Sequence, residues 1–284
     1  MDEFDPNYSF SKRLVWKRLA EDKSMTTIQG DHIRRPHDLA EGGLAALAPP
    51  ASSAYFLDVD GTLLDIKPHP GDVVADPALQ ELLMALQEKA GGAVALISGR
   101  TIQDIDRIFA PLRLPAAGTH GAMLRFDDGS TADAQSAPLQ AVSGTVEAFV
   151  AAHPGLLFEN KGAALTIHFR QRPELRPEVL ALLSQCAIES DFVVLEGKMV
   201  AELKLVEFNK GTAIGTFMGL SPFSGRKPVF VGDDVTDEYG FDIVNKMDGL
   251  SIRVDRVEHP TKAHFRLVEP AALRAQLMTL LTAF

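Results

Sequence analysis

The sequence predicts an α/β fold in which a doubly wound parallel sheet is interrupted by a smaller α+β unit. Three observations carry this. Short continuous apolar runs, "AYFLDVD", "AVALISGR" and "KPVFVGDD", read as strands buried on both faces. Amphipathic stretches such as "PALQELLMALQEKAGG", which ends in Gly-Gly, and "TIQDIDRIFA" alternate with them as crossover helices. Between about 122 and 205 the order of elements changes. There Leu165, Ile167 and Phe169 alternate with Thr166, His168 and Arg170, the mark of a sheet with one wet face.

Taken in order, residues 1–50 form an arm of mixed charge and poor periodicity that ends in "AALAPPASS", a Pro/Ala/Ser stretch of linker character. Most of this arm is expected to lack fixed structure, and Trp16 in "RLVWKRL" is expected to pack or stay disordered. Residues 51–121 and 206–284 supply the two halves of the parallel core. The insertion at 122–205 reads as strand "AMLRF", a helix over 138–152, strands "LLFEN" and "ALTIHFR", a helix over 174–190, and strands "FVVLEG" and "MVAELKL". The doubly wound pattern resumes with helix "NKGTAIGTFMGL" and strand "KPVFVGDDVTDEYGF". In such sheets ligands sit beyond the carboxyl ends of the strands.

Composition narrows the function. With 284 residues and 46% hydrophobic content, the chain holds one large or two modest globular domains. Its net charge of -10 and the absence of any Lys/Arg run remove the electrostatic footprint for nucleic acid or an anionic membrane. Small molecules are the expected partners, and no obligate protein partner is evident. Cys186 has no second cysteine to pair with and is expected to be a packed side chain. No apolar run approaches the roughly 20 residues of a membrane span. "MDEFDPNYSF" lacks the basic start of a secretory signal, so a soluble cytoplasmic setting is expected.

The chemistry concentrates at strand ends. Residues i and i+2 of an extended segment share a side, so Asp58 and Asp60 of "YFLDVDGTLL" are delivered together, with Gly61 allowing the chain to turn at once. "VFVGDDVTDE" repeats the device with Asp233, Asp234 and Asp237. If the two strands end side by side, each like-charge pair at 4 Å costs about 4 kcal/mol at an effective dielectric near 20. A cation is therefore required. Oxygen ligands without a Cys/His cluster select a hard divalent ion, and Mg²⁺ suits a site of few carboxylates completed by a substrate phosphate. "ISGR" adds the Ser98 hydroxyl and the backbone N–H groups of Gly99 and Arg100 at a strand-to-helix turn, while Lys210 adds a point charge at a helix start.

In this order, strand-DxDGT, strand-SGR, Lys before a helix and strand-GDDxTD resemble the four motifs of the haloacid dehalogenase phosphohydrolase superfamily over roughly residues 54–284. The resemblance implies a Rossmann-type core with Asp58 as nucleophile and Asp60 as acid and base. It also implies Mg²⁺ held by Asp58, the Asp60 carbonyl and Asp233, with Asp234 and Asp237 behind them. Asp237 would orient the water shell or Lys210. Ser98, Gly99, Arg100 and Lys210 would hold the phosphoryl group.

The insertion lies where the sugar-phosphate branch carries an α/β cap. "GTHG" (118–121), "FENKG…LTIHFR" (158–170), "VAELK" and "GDDVTDE" are similar to the trehalose-6-phosphate phosphatase family. That resemblance implies that Glu159, Lys161, His168, Arg170 and Glu202 reach sugar hydroxyls and that Gly118, His120 and Gly121 lie near the hinge, His120 within substrate reach. The sequence departs from the family in following Glu-x-Lys with Leu205 rather than proline, and its arm is too short for the synthase domain often fused there. The rival readings are a phosphatase of another sugar phosphate, such as sucrose or mannosylglycerate phosphate, a receiver-type phosphoacceptor, and a silent sugar-phosphate sensor. Receivers pair their first acids consecutively and carry no insertion, and a sensor has no use for Asp60.

Overall fold

A computed structural model describes residues 33–67, 69–133, 137–188, 191–197 and 199–284; Trp16 and the rest of residues 1–32 lie outside them. The chain divides into two compact units, one running to Ser130 and again from Asn209 to Phe284, the other Thr131–Phe208.

In chain order the larger unit begins with β1 (His37–Asp38), α1 (Gly43–Leu47), β2 (Ser53–Leu57), α2 (Pro77–Lys89), β3 (Val94–Ile97), α3 (Ile102–Phe109), β4 (Ala116–Gly118) and β5 (Met123–Arg125). The smaller unit holds β6 (Thr131–Asp133), α4 (Ala137–Ala152), β7 (Leu157–Asn160), β8 (Ala164–His168), α5 (Arg176–Ala187), β9 (Phe192–Gly197) and β10 (Val200–Leu205). The larger unit resumes with α6 (Lys210–Met218), β11 (Lys227–Gly232), α7 (Glu238–Lys246), β12 (Leu250–Val254), β13 (Phe265–Leu267) and α8 (Pro270–Ala283).

Within the larger unit the strands of the large sheet run β1-β13-β12-β11-β2-β3-β4-β5. Its central strands are the apolar runs of the sequence, and Tyr55, Phe56, Leu57, Val94, Ala95, Val229 and Phe230 are fully buried. Each large side chain among them contributes on the order of 1.5–3 kcal/mol by leaving water. Phe56 stacks on Phe223 at 5.4 Å between ring centroids, with Phe217 against both. The parallel register pairs Phe230 with Phe56 and Val231 with Leu57, and Asp58 N–H donates to the Val231 carbonyl at 2.9 Å. Two adjacent strands therefore end level, and the acids after them emerge at one edge.

Two boundaries differ from the sequence reading. Strand "AMLRF" pairs antiparallel with β4, Ala117 opposite Leu124, so it extends the large sheet and the smaller unit starts at Thr131. The described part of the arm has fixed partners. His37 pairs with Phe265, Leu44 is buried, and the Gln276 side chain accepts from Leu44 N–H and donates to the Ala40 carbonyl. A glutamine on a distant helix supplies those partners, which no local pattern in the arm reveals.

The smaller unit is an antiparallel sheet, β7-β8-β10-β9, with α4 and α5 packed on one face over Leu165, Ile167, Ala201 and Leu203. The opposite face carries a polar row, since Glu159 pairs with Thr166 and Thr166 with Glu202. This face is not open throughout: Thr166 is 1% exposed and Glu202 7%.

Candidate active site

Glycine makes the acid cluster possible. Gly61, at φ +82°, sits so close to the Asp233 carboxylate that a Cβ would lie 2.1 Å from Oδ2. At Gly232 a Cβ would lie 2.3 Å from Asp237 Cγ. No larger residue allows either approach. Asp58, Asp233 and Asp237 then offer oxygens that all lie within 4.8 Å of one another, and Thr62 Oγ1 donates to Asp233 Oδ1 at 3.3 Å.

Lys210 stands among them because Asn209 starts α6 at that point. The Asn209 side chain accepts from Thr212 N–H at 3.0 Å while Thr212 Oγ1 accepts from Asn209 N–H at 3.1 Å, a reciprocal cap that fixes the first turn. Lys210 Nζ donates to Asp58 Oδ1 at 2.8 Å and to Asp237 Oδ1 at 2.6 Å. The second Asp237 oxygen accepts the backbone N–H groups of Asp233 at 3.0 Å and Asp234 at 2.9 Å. Asp237 thus anchors both the lysine and the loop. Asp234 is exposed, and its carboxylate caps Val235 N–H at 2.6 Å instead of joining the cluster.

Three acids against one lysine leave an excess of negative charge in a buried space. Burial, then the neighbouring Asp58 and Asp237, push the Asp233 carboxyl up to about 9. Burial pushes Asp58 up to about 6 against the pull of Lys210. Burial also works against the Lys210 charge, yet Asp237 and Asp58 outweigh it and hold the ammonium above the usual lysine range. The all-oxygen donor set and unbalanced charge fit a hard divalent cation.

Asp60 points its carboxylate at Arg100, whose Nε–H and Nη2–H donate to its two oxygens at 2.6 and 2.7 Å. Arg100, read from sequence as a phosphate ligand, is therefore engaged with the second acid. Ser98 is buried, and its Oγ accepts Arg100 N–H at 3.1 Å. The GTHG segment backs this turn: His120 N–H donates to the Ser98 carbonyl at 3.0 Å, and a Cβ on Gly99 would lie 2.7 Å from the His120 ring. A Cβ on Gly118 would lie 2.8 Å from the Arg100 carbonyl, and one on Gly121 2.7 Å from that of Asn209.

In the smaller unit Glu202 Oε2 accepts from Lys161 Nζ and from Thr166 Oγ1, each at 3.0 Å. His168 Nε2 lies 3.1 Å from Glu159 Oε2, and this contact holds the Glu159 carboxyl below the usual range. Arg170 is exposed in the turn after β8 and joins no ion pair among the described residues. Lys204 is buried, and burial pushes its ammonium down to about 8; it donates to the Leu205 and Phe208 carbonyls.

A family profile described as trehalose-phosphatase matches residues 56–271. The chain belongs to the trehalose-phosphatase family. It is 38% identical over 246 residues to a probable trehalose-phosphate phosphatase of Sinorhizobium fredii, covering 85% of this chain and 93% of the relative. It is 39% identical over 220 residues to the trehalose-6-phosphate phosphatase of Escherichia coli, covering 76% and 82%. Among solved structures, a trehalose-6-phosphate phosphatase related protein superposes with a TM-score of 0.64 at 27% identity, covering 81% of this chain and 97% of that one. The trehalose-phosphatase match takes in the acid cluster and the polar face of the smaller unit alike. Among the described residues no helix is long and apolar enough to cross a membrane.

Some contributors escaped the sequence reading of this trehalose-phosphatase family member. Thr166 and Lys204 look like ordinary strand residues; cross-strand register sets Thr166 against Glu202, while Lys204 folds back on carbonyls at the end of its own strand and in the turn that follows it. Asn209 carried a usable signal, a cap residue three positions before Thr212 at the start of an apolar helix.

Proposed function

We propose that the protein hydrolyses trehalose 6-phosphate to trehalose and inorganic phosphate, the closing step of trehalose synthesis. The observation that carries this is the convergence of Asp58, Asp233, Asp237 and Lys210 at the ends of two adjacent strands in a member of this family. An Asp58 oxygen attacks phosphorus and forms an aspartyl-phosphate as the bond from phosphorus to the sugar oxygen breaks. Asp60 gives its proton to that oxygen. In the second half Asp60 takes a proton from water, whose oxygen bonds to phosphorus as the Asp58–phosphorus bond breaks.

Asp58, the Asp60 carbonyl and Asp233 would hold Mg²⁺, with Asp237 and Asp234 behind them. When bound, the ion neutralises charge on the phosphoryl oxygens. Lys210, Ser98 and the N–H groups of Gly99 and Arg100 orient the phosphoryl group. The smaller unit acts as a cap for specificity. Its Glu159, Lys161, His168, Arg170 and Glu202, with His120 from the core, recognise sugar hydroxyls, because groups matched to hydroxyls reject ligands that lack them. A lone cysteine, with no second to pair with, supports a cytoplasmic location.

Phosphate release from a panel of sugar phosphates, with Asp58→Asn as control, tests the reading. Turnover confined to trehalose 6-phosphate and lost in the variant is expected. Preference for sucrose or mannosylglycerate phosphate would reassign the substrate, and no turnover at all would leave a sensor.

A further inference from the structure

Arg100 and Asp60 meet through two parallel bonds that a planar guanidinium makes to a planar carboxylate, a contact that fixes direction as well as distance. The arginine is the more enclosed partner, its side chain 13% exposed against 32% for Asp60. Its backbone is held on both sides: Arg100 N–H donates to Ser98 Oγ, and the Arg100 carbonyl accepts Thr119 N–H at 2.7 Å. The strap that supplies Thr119 is itself strained, with φ of 48°, 55° and 102° at Thr119, His120 and Gly121. A β-branched residue rarely takes such a conformation, and backbone of this kind persists only where its surroundings impose it. The fork is therefore presented by a rigid turn.

We infer that Arg100 is a positioning residue for the leaving-group proton, holding one oxygen of the Asp60 carboxyl while the other gives up its Arg100 bond to carry the proton to the sugar oxygen, and that this outweighs any contact it makes with phosphate. The inference rests on the reading of Asp60 as the acid. A proton donor contributes only when held within hydrogen-bond reach of the atom it protonates, and displacement by an ångström removes much of its effect.

The test compares two esters on the full chain. Trehalose 6-phosphate has an alkoxide leaving group that needs a proton, whereas 4-nitrophenyl phosphate releases a stable phenolate. Arg100→Met should lower kcat for trehalose 6-phosphate about 10- to 100-fold more than for the aryl ester, a share of the 10²–10⁴ that a general acid supplies. Arg100→Lys, which keeps the charge and loses the fork, should show the same selectivity and carries the comparison if the methionine variant does not fold. Adding Arg100→Met to Asp60→Asn should cost little beyond Asp60→Asn alone. Equal losses on both esters, or a rise in KM common to both, mark a phosphate ligand and overturn the inference. If Asp60→Asn is selective and neither arginine variant is, the inference alone falls; if Asp60→Asn is itself unselective, the acid assignment falls and takes the inference with it.

Discussion

Lys210 and Asp237 are joined at 2.6 Å in a place where neither side chain meets solvent, 4% and 0% exposed. The pair is shared. Lys210 also holds Asp58, and Asp237 also holds the backbone of Asp233 and Asp234, so one contact ties the start of α6 to both acidic strand ends. Removing one partner of a buried ion pair costs about 3–5 kcal/mol because the other charge stays behind. Lys210→Met should lower stability by that order in chelator, measured by denaturant unfolding, and should cut phosphate release at least about 100-fold.

The acids also predict how pH acts. Asp58 and Asp233 hold protons in the folded protein to about 6 and about 9, above their ordinary value of 3.8. A folded-state pKa raised above the unfolded one gives stability that is complete below the unfolded value and lost as pH rises through the folded one. In chelator, melting temperature should therefore decline from about pH 4 toward about pH 9. A divalent cation needs the ionised carboxylates, so the stabilisation by added Mg²⁺ should grow over the same range. Thermal melts across pH, with and without the ion, check this; a shift that is flat or shrinks with pH contradicts it.

Gly61 and Gly129 form a matched pair, both at positive φ, +82° and +77°, but only Gly61 is crowded. Alanine at Gly129 meets nothing within 4 Å and should cost only the roughly 1–2 kcal/mol of left-handed backbone. Alanine at Gly61 must also displace Asp233, so it should lose activity at least about 10-fold and require more Mg²⁺ for half-maximal rate. Rate against Mg²⁺ concentration for both variants separates local strain from damage to the cluster.

The Thr166 hydroxyl shares Glu202 Oε2 with Lys161. Thr166→Val keeps the strand shape and removes one donor worth about 1 kcal/mol, so KM for trehalose 6-phosphate should rise about five-fold. Glu202→Gln should raise it further. Initial rates with 4-nitrophenyl phosphate, which has no sugar hydroxyls, should change less than those with the sugar phosphate in both variants.

The parallel core was legible because its strands are buried on both faces and so read as unbroken apolar runs. Asp58, Asp233, Asp237 and Lys210 were legible as strand-end and helix-start residues, although their mutual distances depend on the register that sets Val231 beside Leu57. Arg100 was not, because a Ser-Gly-Arg turn offers the same groups to a phosphate or to a neighbouring acid, and only the folded chain brings Asp60 within 2.7 Å of it. The pairing of the arm was hidden because its partners, Phe265 and Gln276, lie more than two hundred residues away in sequence.

Phosphate release from trehalose 6-phosphate by the full chain after exhaustive chelation, followed by titration with Mg²⁺, decides whether the acid cluster works through a divalent ion. Abolished turnover, restored by the ion in wild type and not in Asp58→Asn, is the predicted result. Undiminished turnover in the chelated protein would contradict it.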